Sequence, residues 1–249
     1  MIDMSKLYNH NDYENALNEF NNSSPCQWNF FKDVQMEVAK NKCPICECLF
    51  DESVKRVTKR SFIEIKATID HYRPIEFYDF LRCDDKNYIL MCSECNVEYK
   101  KSNFPLYNSI PRATNKEEIE NEKPLIVNPI YDNLLELFIL IFRKTSSGKN
   151  VLELKPKKSS LEDNYLYLKA IETIKVFGLG DCEINRHQND NIHNCRIKLL
   201  GNHFNRFYTL AKARKIGKNE FLGILREHPE NYHFGFTKFI AKEQFKINI

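Results

Sequence analysis

The chain is poor in glycine, with 7 residues in 249. No Gly-rich turn of the kind that cradles phosphates is present, so any nucleotide chemistry must come from another chain. No apolar run approaches the roughly 18–20 residues of a membrane span. The opening Met1-Ile2-Asp3-Met4-Ser5-Lys6 lacks the apolar core of a secretory signal, which predicts a cytoplasmic protein with no membrane association. Internal repeats and low-complexity tracts are missing. So is an aromatic-rich strand platform for single-stranded RNA. An odd count of 9 cysteines, without a secretory signal, argues against a disulfide framework.

The composition is that of a soluble globular protein, 42% hydrophobic and 29% charged, long enough to bury a real core. A net charge of +3 hides an asymmetry: residues 1–150 carry 20 Lys+Arg against 23 Asp+Glu, and residues 151–249 carry 17 against 11. A basic C-terminal part suits a phosphate-binding surface, although solvated helix faces give the same count. The basic helices expected after Asn185 include Arg186, Arg196, Lys198, Arg206, Lys212, Arg214 and Lys215, which could bind nucleic acid or a partner.

Four cysteines form two C-x-x-C pairs, Cys43-Pro-Ile-Cys46 and Cys92-Ser-Glu-Cys95, with 45 residues between them. Two such pairs predict a tetrahedral sulfur site for one structural Zn²⁺, with a module inserted between the knuckles. Cys48 competes as a ligand, but Cys43 with Cys46 has the better spacing. The remaining five cysteines read as reduced packing residues.

Asp12 to Phe20 and Cys26 to Lys40 carry helical periodicity. Lys55, Arg56, Lys59 and Arg60 mark a loop that is either solvated or phosphate-contacting. Ser61 to Ile69 alternates with a period of two and reads as one strand delivering Asp70 and His71. Tyr88 to Met91 reads as a second strand and Ser93 to Lys101 as a short helix. Residues 103–128 read as an extended connection. Leu137 to Arg143 and Val151 to Leu154 predict a hairpin. Helices follow from Leu161, with Leu161, Tyr165, Leu168 and Ile171 as one stripe, Gly178-Leu179-Gly180 as a separator and short segments at Glu220 to Arg226 and Thr237 to Glu243.

The chemistry concentrates between the knuckles. Asp70 and His71 are neighbours on extended backbone, so their side chains diverge. Asp70 and Asn96, the latter just past a zinc ligand, can share one divalent ion, Mg²⁺ or Mn²⁺. A neutral His71 beside a scissile phosphate can take a proton from water. Asn87 can orient that imidazole through its side-chain carbonyl. Arg73 and Lys100 are candidate phosphate contacts. A zinc-braced binding or adaptor module without catalysis is the alternative, but it has no need of the Asp70–His71 pair.

The order Cys-x-x-Cys, Asp-His, Asn, Cys-x-x-Cys-Asn resembles the HNH endonucleases. The signature positions fall on His71, Asn87 and Asn96, with Asp70 as first metal ligand; the third is Asn where His is frequent. Ile69-Asp-His-Tyr-Arg-Pro74, Cys95-Asn-Val-Glu-Tyr-Lys100 followed by Phe104-Pro105, Pro124-Leu-Ile-Val-Asn-Pro129 and Ile174-Lys-Val-Phe-Gly-Leu179 resemble the PtuB-like HNH nucleases of Septu-type and retron-associated antiphage systems. The resemblance implies an α+β fold: a ββα-metal core with four-cysteine zinc knuckles inside a mainly α-helical protein. It also implies cleavage of nucleic acid, DNA first and RNA such as tRNA second. The implied partner is an ABC-type, PtuA-like ATPase, joined in retron systems by a reverse transcriptase and its DNA–RNA hybrid. The expected organisation is an N-terminal helical segment (1–42), the zinc-braced nuclease module (43–108), an extended connection (109–130), and a hairpin with basic helices (131–249).

Overall fold

The computed structural model describes residues 1–23, 26–57, 62–109, 111–144, 150–179, 216–227, 242 and 246. They form a mixed helical structure with three two-stranded antiparallel sheets. No described helix is long and apolar enough to cross a membrane.

Helix α1 (Asn11–Asn22) starts where His10 caps the Asp12 amide, and it buries Tyr13, Ala16 and Phe20. The helical stretch expected from Cys26 begins later, as a 3₁₀ turn over Trp28–Phe31 that runs into α2 (Lys32–Val38). Strand β1 (Asp51–Val57) pairs with β2 (Phe62–Ile65), and β3 (Ala67–His71) pairs with β4 (Tyr88–Cys92).

The single strand expected over Ser61 to Ile69 is thus two strands with different partners. The break is Lys66, whose carbonyl accepts from Ser93 N–H at 2.9 Å. That bond ties the bend to the end of β4. Lys55 and Arg56 of the expected cationic loop lie on β1, and Lys59 and Arg60 lie outside the described residues.

Strand β4 is buried along its whole length. Ile89 and Met91 join a core with Ile45, Tyr72, Phe104 and Phe177, while Tyr88 and Leu90 join another with Phe20, Phe31, Val34 and Ile69. An uninterrupted apolar run is what a strand covered on both faces requires. Its free edge is covered by Gln35 of α2, which accepts from Leu90 N–H at 2.7 Å and donates to Tyr88 O at 3.3 Å. The buried edge therefore keeps its backbone groups paired.

After β4 comes a seven-residue helix, Glu94–Lys100, wound more widely than an α-helix. Lys101 N–H donates to Asn96 O, five residues back, and Lys101 leaves with φ 49°. The short α3 (Leu134–Leu137) leads into the expected hairpin, β5 (Phe138–Lys144) against β6 (Asn150–Pro156). Helix α4 (Asn164–Val176) is capped by Asp163, which accepts from Leu166 N–H at 3.0 Å. This cap leaves Leu161 outside the helix and 97% exposed, so it is not part of a buried stripe. The buried face of α4 carries Ala170 and Thr173 instead. The last described helix is α5 (Lys218–Glu227). The basic positions between Arg186 and Lys215 and most of the expected helix at 237–243 lie outside the described residues.

Cys26 and Cys83 are disulfide-bonded, with Cα atoms 5.2 Å apart. This corrects the expectation that all cysteines outside the C-x-x-C pairs are reduced. The partners are 57 residues apart in the chain, and only the folded geometry brings them into bonding range. Cys182 and Cys195 lie outside the described residues.

Candidate metal centres and the Asp70–His71 site

Five sulfurs converge where the 42–49 turn meets the end of β4. The thiols of Cys43, Cys46, Cys48 and Cys92 lie within 4.8 Å of one another, all buried. Cys95 is 3.7 Å from Cys43, and Cys46 is 3.7 Å from Cys92. A tetrahedral zinc with bonds of about 2.3 Å has sulfur–sulfur edges of about 3.8 Å, so these two pairs match its edges. Cys46 and Cys48 stand closer, at 3.3 Å. Backbone N–H groups already aim at the sulfurs: Cys92 N–H at Cys43 and Cys95 N–H at Cys92, both 3.3 Å.

Burial opposes ionisation of Cys46, yet hydrogen bonding with the sulfurs of Cys43, Cys48, Cys92 and Cys95 holds its thiol well below the usual range. Cys43 is lowered in the same way, against burial and Cys46, by Cys48, Cys92 and Cys95. Bonds to Cys43, Cys46 and Cys92 push Cys48 up, and burial pushes Cys92 up. A cluster that favours thiolate at two positions while excluding water is suited to a cation. Four of these cysteines could hold a structural metal such as zinc, and Cys43, Cys46, Cys48 and Cys92 are the four whose sulfurs all lie within 4.8 Å of one another.

The second cluster lies on β3. Residues two apart on a strand share a face, so Thr68 and Asp70 look one way while Ala67, Ile69 and His71 look the other. Thr68 Oγ1 accepts from Asn96 Nδ2 at 3.2 Å, and Asp70 Oδ2 accepts from Lys100 Nζ at 2.7 Å. Asn96 and Lys100 are four apart on the Glu94–Lys100 helix, so strand and helix run side by side in the same direction. Cys95 anchors the start of that helix to the sulfur cluster. Asp70 and Asn96 thus stand on facing elements, and among the described residues the bonds that hold them leave Asp70 Oδ1 and the Asn96 amide oxygen uncommitted. Such hard oxygen donors fit Mg²⁺ or Mn²⁺.

His71 packs edge-on against Tyr88, its cross-strand partner, with ring centroids 5.1 Å apart. Its Nε2 lies 3.0 Å from Arg82 O. A carbonyl only accepts, so in the neutral ring the hydrogen is assigned to Nε2 and the lone pair to Nδ1. Asn87 does something other than orient this ring. Its Oδ1 accepts from Arg73 N–H at 2.8 Å, and its Nδ2 donates to Arg73 O at 3.0 Å and Leu81 O at 3.4 Å. The carboxamide mimics a strand partner and clasps the two ends of the 72–87 loop that supplies Arg82.

The two expected phosphate contacts are interior groups. Arg73 Nη2 is 3.1 Å from Glu122 Oε2, and the guanidinium lies over Phe104 at 5.3 Å and Tyr78 at 5.6 Å. Lys100 is fully buried on Asp70. Neither offers its charge to a surface ligand in this conformation. A cavity of about 680 Å³ opens beside the 72–87 loop. Its Lys116 and Lys169 are engaged by Asp84 and Asp132, each at 2.7 Å, so it is no ready anion cradle. Glu122, Gln35 and the Arg82 carbonyl were not apparent from the sequence. Only the adjacency of Tyr88 to Asn87 hinted at the ring that backs His71.

No family model matches the chain, and no solved structure does. The chain is similar to the Septu protein PtuB of Bacillus mycoides (strain KBAB4), at 28% identity over 112 residues. That match covers 35% of this chain and 38% of the length of PtuB.

Proposed function

We propose that this chain is a metal-dependent endonuclease of the HNH type, serving as the effector of a Septu-like antiphage defence system. The observation that carries the reading is the order β3, clasped loop, β4, helix, with Asp70 and His71 at the strand end and Asn96 on a helix anchored by Cys95. The partial similarity to PtuB supports the defence setting. On this reading Cys43, Cys46, Cys92 and Cys95 hold a structural zinc, with Cys48 as the adjoining thiol.

When bound at Asp70 and Asn96, Mg²⁺ or Mn²⁺ supplies Lewis-acid stabilisation of the charge that develops on the phosphate. His71 accepts the proton of the attacking water at Nδ1, because Arg82 O occupies Nε2. Asn87 positions the loop that makes this bond. DNA is the expected substrate, and RNA such as tRNA the second choice. The partner is an ABC-type ATPase, with the reverse transcriptase and hybrid of a retron in systems that carry one.

The Lys100–Asp70 pair favours one other reading, a zinc-braced adaptor without catalysis, because it neutralises the carboxylate. One experiment separates the two. The purified chain, alone and with its ATPase partner, is incubated with Mg²⁺ or Mn²⁺ and plasmid DNA or total RNA. Metal-dependent cleavage that disappears in His71→Ala is expected. Cleavage without metal, or by His71→Ala at the parent rate, refutes the assignment of this site.

A further inference from the structure

We propose that Lys100 makes ion binding at Asp70 conditional on a phosphate, so that metal and nucleic acid enter the site together. The inference rests on the endonuclease reading above and adds to it a reason for Lys100.

Lys100 has no exposed surface. Its ammonium donates to Asp70 Oδ2 at 2.7 Å, to His71 O at 2.8 Å and to Lys101 O at 3.5 Å. A buried ammonium persists only when its protons are met by oxygens, and here each has one. The group is therefore fixed, and it is not a swinging surface lysine that could reach a backbone phosphate. Its register against Asp70 is set by the same helix that Cys95 anchors and that Asn96 ties to Thr68.

The consequence is one of charge. Thr68, Asp70, Asn96 and Lys100 meet between β3 and the helix, and together they contribute one carboxylate and one ammonium. A divalent cation approaching Asp70 meets a site whose own charges cancel. Like charge close by in a partly desolvated setting disfavours a second cation strongly. A phosphate restores the missing negative charge, and its oxygens complete the ligand set. Lys100 also bridges Asp70 to the backbone of His71, which makes it a positioning residue for both. By thermodynamic reciprocity, the ion must then tighten nucleic-acid binding by the factor that nucleic acid tightens the ion.

The test measures Mn²⁺ binding to the full chain by electron paramagnetic resonance of the free ion. A His71→Ala background keeps the nucleic acid intact, and the nucleic acid is the type that the cleavage assay selects. The signal from nucleic acid alone is subtracted. The expected result is Mn²⁺ binding tightened about tenfold or more by nucleic acid, within the usual range of coupling between sites. Lys100→Met should bind Mn²⁺ about tenfold more tightly without nucleic acid and lose most of the coupling, whereas Lys100→Arg should keep it.

Equal Mn²⁺ affinity with and without nucleic acid overturns the proposal, and that comparison needs no Lys100 variant. So does Lys100→Met binding no tighter than its parent, with zinc content and melting checked. Asp70→Asn separates the two readings. Mn²⁺ binding that needs Asp70 but ignores Lys100 sinks only this proposal. Mn²⁺ binding that ignores Asp70, or none at all, sinks the endonuclease site as well.

Discussion

The Nε2 atom of His71 stands 3.0 Å from the carbonyl oxygen of Arg82, an oxygen that also accepts the Tyr88 hydroxyl at 2.7 Å. In the neutral ring this shared acceptor favours the tautomer with the hydrogen on Nε2 and the lone pair on Nδ1. Replacing His71 by Ala should lower cleavage by about 10²–10⁴-fold, the usual contribution of a positioned acid–base group. Replacing Tyr88 by Phe leaves the ring and its acceptor but removes one bond from Arg82 O, at a cost of about 1 kcal/mol in stability. Tyr88→Phe should therefore retain most of the activity. Single-turnover rates and denaturant melts of both variants, measured in parallel, would expose a purely structural histidine: His71→Ala would then lose stability and rate together.

The sulfur cluster predicts about one zinc per chain, because two sulfur pairs match the edges of a tetrahedron. Cys43→Ser or Cys92→Ser should lose the metal, and chelation of the parent should unfold the 42–49 turn together with the end of β4. Cys48→Ser should keep the zinc. Elemental analysis after gel filtration, with melting curves before and after a chelator, measures both. Zinc retained by Cys92→Ser and lost by Cys48→Ser would reassign the ligand set.

Arg73 and Glu122 form an interior ion pair, with side chains only 9% and 1% exposed. The same carboxylate accepts from Tyr78 Oη at 2.8 Å and from Ala113 N–H at 2.7 Å. Removing one member strands a buried charge, at a cost of about 3–5 kcal/mol. Glu122→Ala and Arg73→Met should each be destabilised on that scale. Neither should change the salt dependence of nucleic-acid binding, since Arg73 neutralises no phosphate. A fall in that slope for Arg73→Met, with an unchanged melting point, would return Arg73 to the binding surface.

Much of this was legible from side-chain pattern. The apolar run of β4, the β5–β6 hairpin and the helix after Cys92 follow from periodicity and turn chemistry, and the paired cysteines announce their own convergence. Other features depend on what lies across the fold. Lys66 is an ordinary strand residue until Ser93 takes its carbonyl. Arg73 and Lys100 carry surface-type charges, and their burial is set by Glu122 and Asp70, which are 49 and 30 residues away in the chain. The same holds for Cys26 and Cys83. A single sequence shows which residues are able to pair, but partner choice at that range is a property of packing.

Burial is the main cause that pushes Tyr78 up to about 12; a hydrogen bond from Arg112 opposes it and the bond to Glu122 adds to it. Tyr88 is pushed up to about 12 by burial, then by Asp84 and Asp85. A folded value above the ordinary one, near 10, means that the native state favours the neutral phenol. That contribution is complete below about pH 10 and is lost as pH climbs from about 10 to 12. Stability should fall across this window, and tyrosinate absorbance should show these two phenols titrating after the exposed ones. Tyr78→Phe should flatten part of the fall. A stability curve indifferent to pH there would contradict the burial of both hydroxyls.

Gly178 closes α4 with φ +60°, a conformation that favours glycine. Gly178 N–H donates to Lys175 O at 3.3 Å and Leu179 N–H to Ile174 O at 2.9 Å, the two bonds of a Schellman cap. A Cβ at Gly178 would also overlap the Tyr99 ring on the Glu94–Lys100 helix. The glycine therefore does two jobs: it ends α4, and it lets that end approach the helix that carries Asn96 and Lys100. Gly178→Ala combines left-handed backbone strain with overpacking and should cost about 2–4 kcal/mol. At about 2–4 °C per kcal/mol for a chain of this size, the melting point should drop by several degrees. If the contact with Tyr99 supplies part of the cost, Tyr99→Leu should restore some of the loss in the double variant, although Tyr99→Leu alone destabilises. Strict additivity of the two changes would mean that only the backbone conformation demands glycine, and that the end of α4 does not constrain the site helix through this contact.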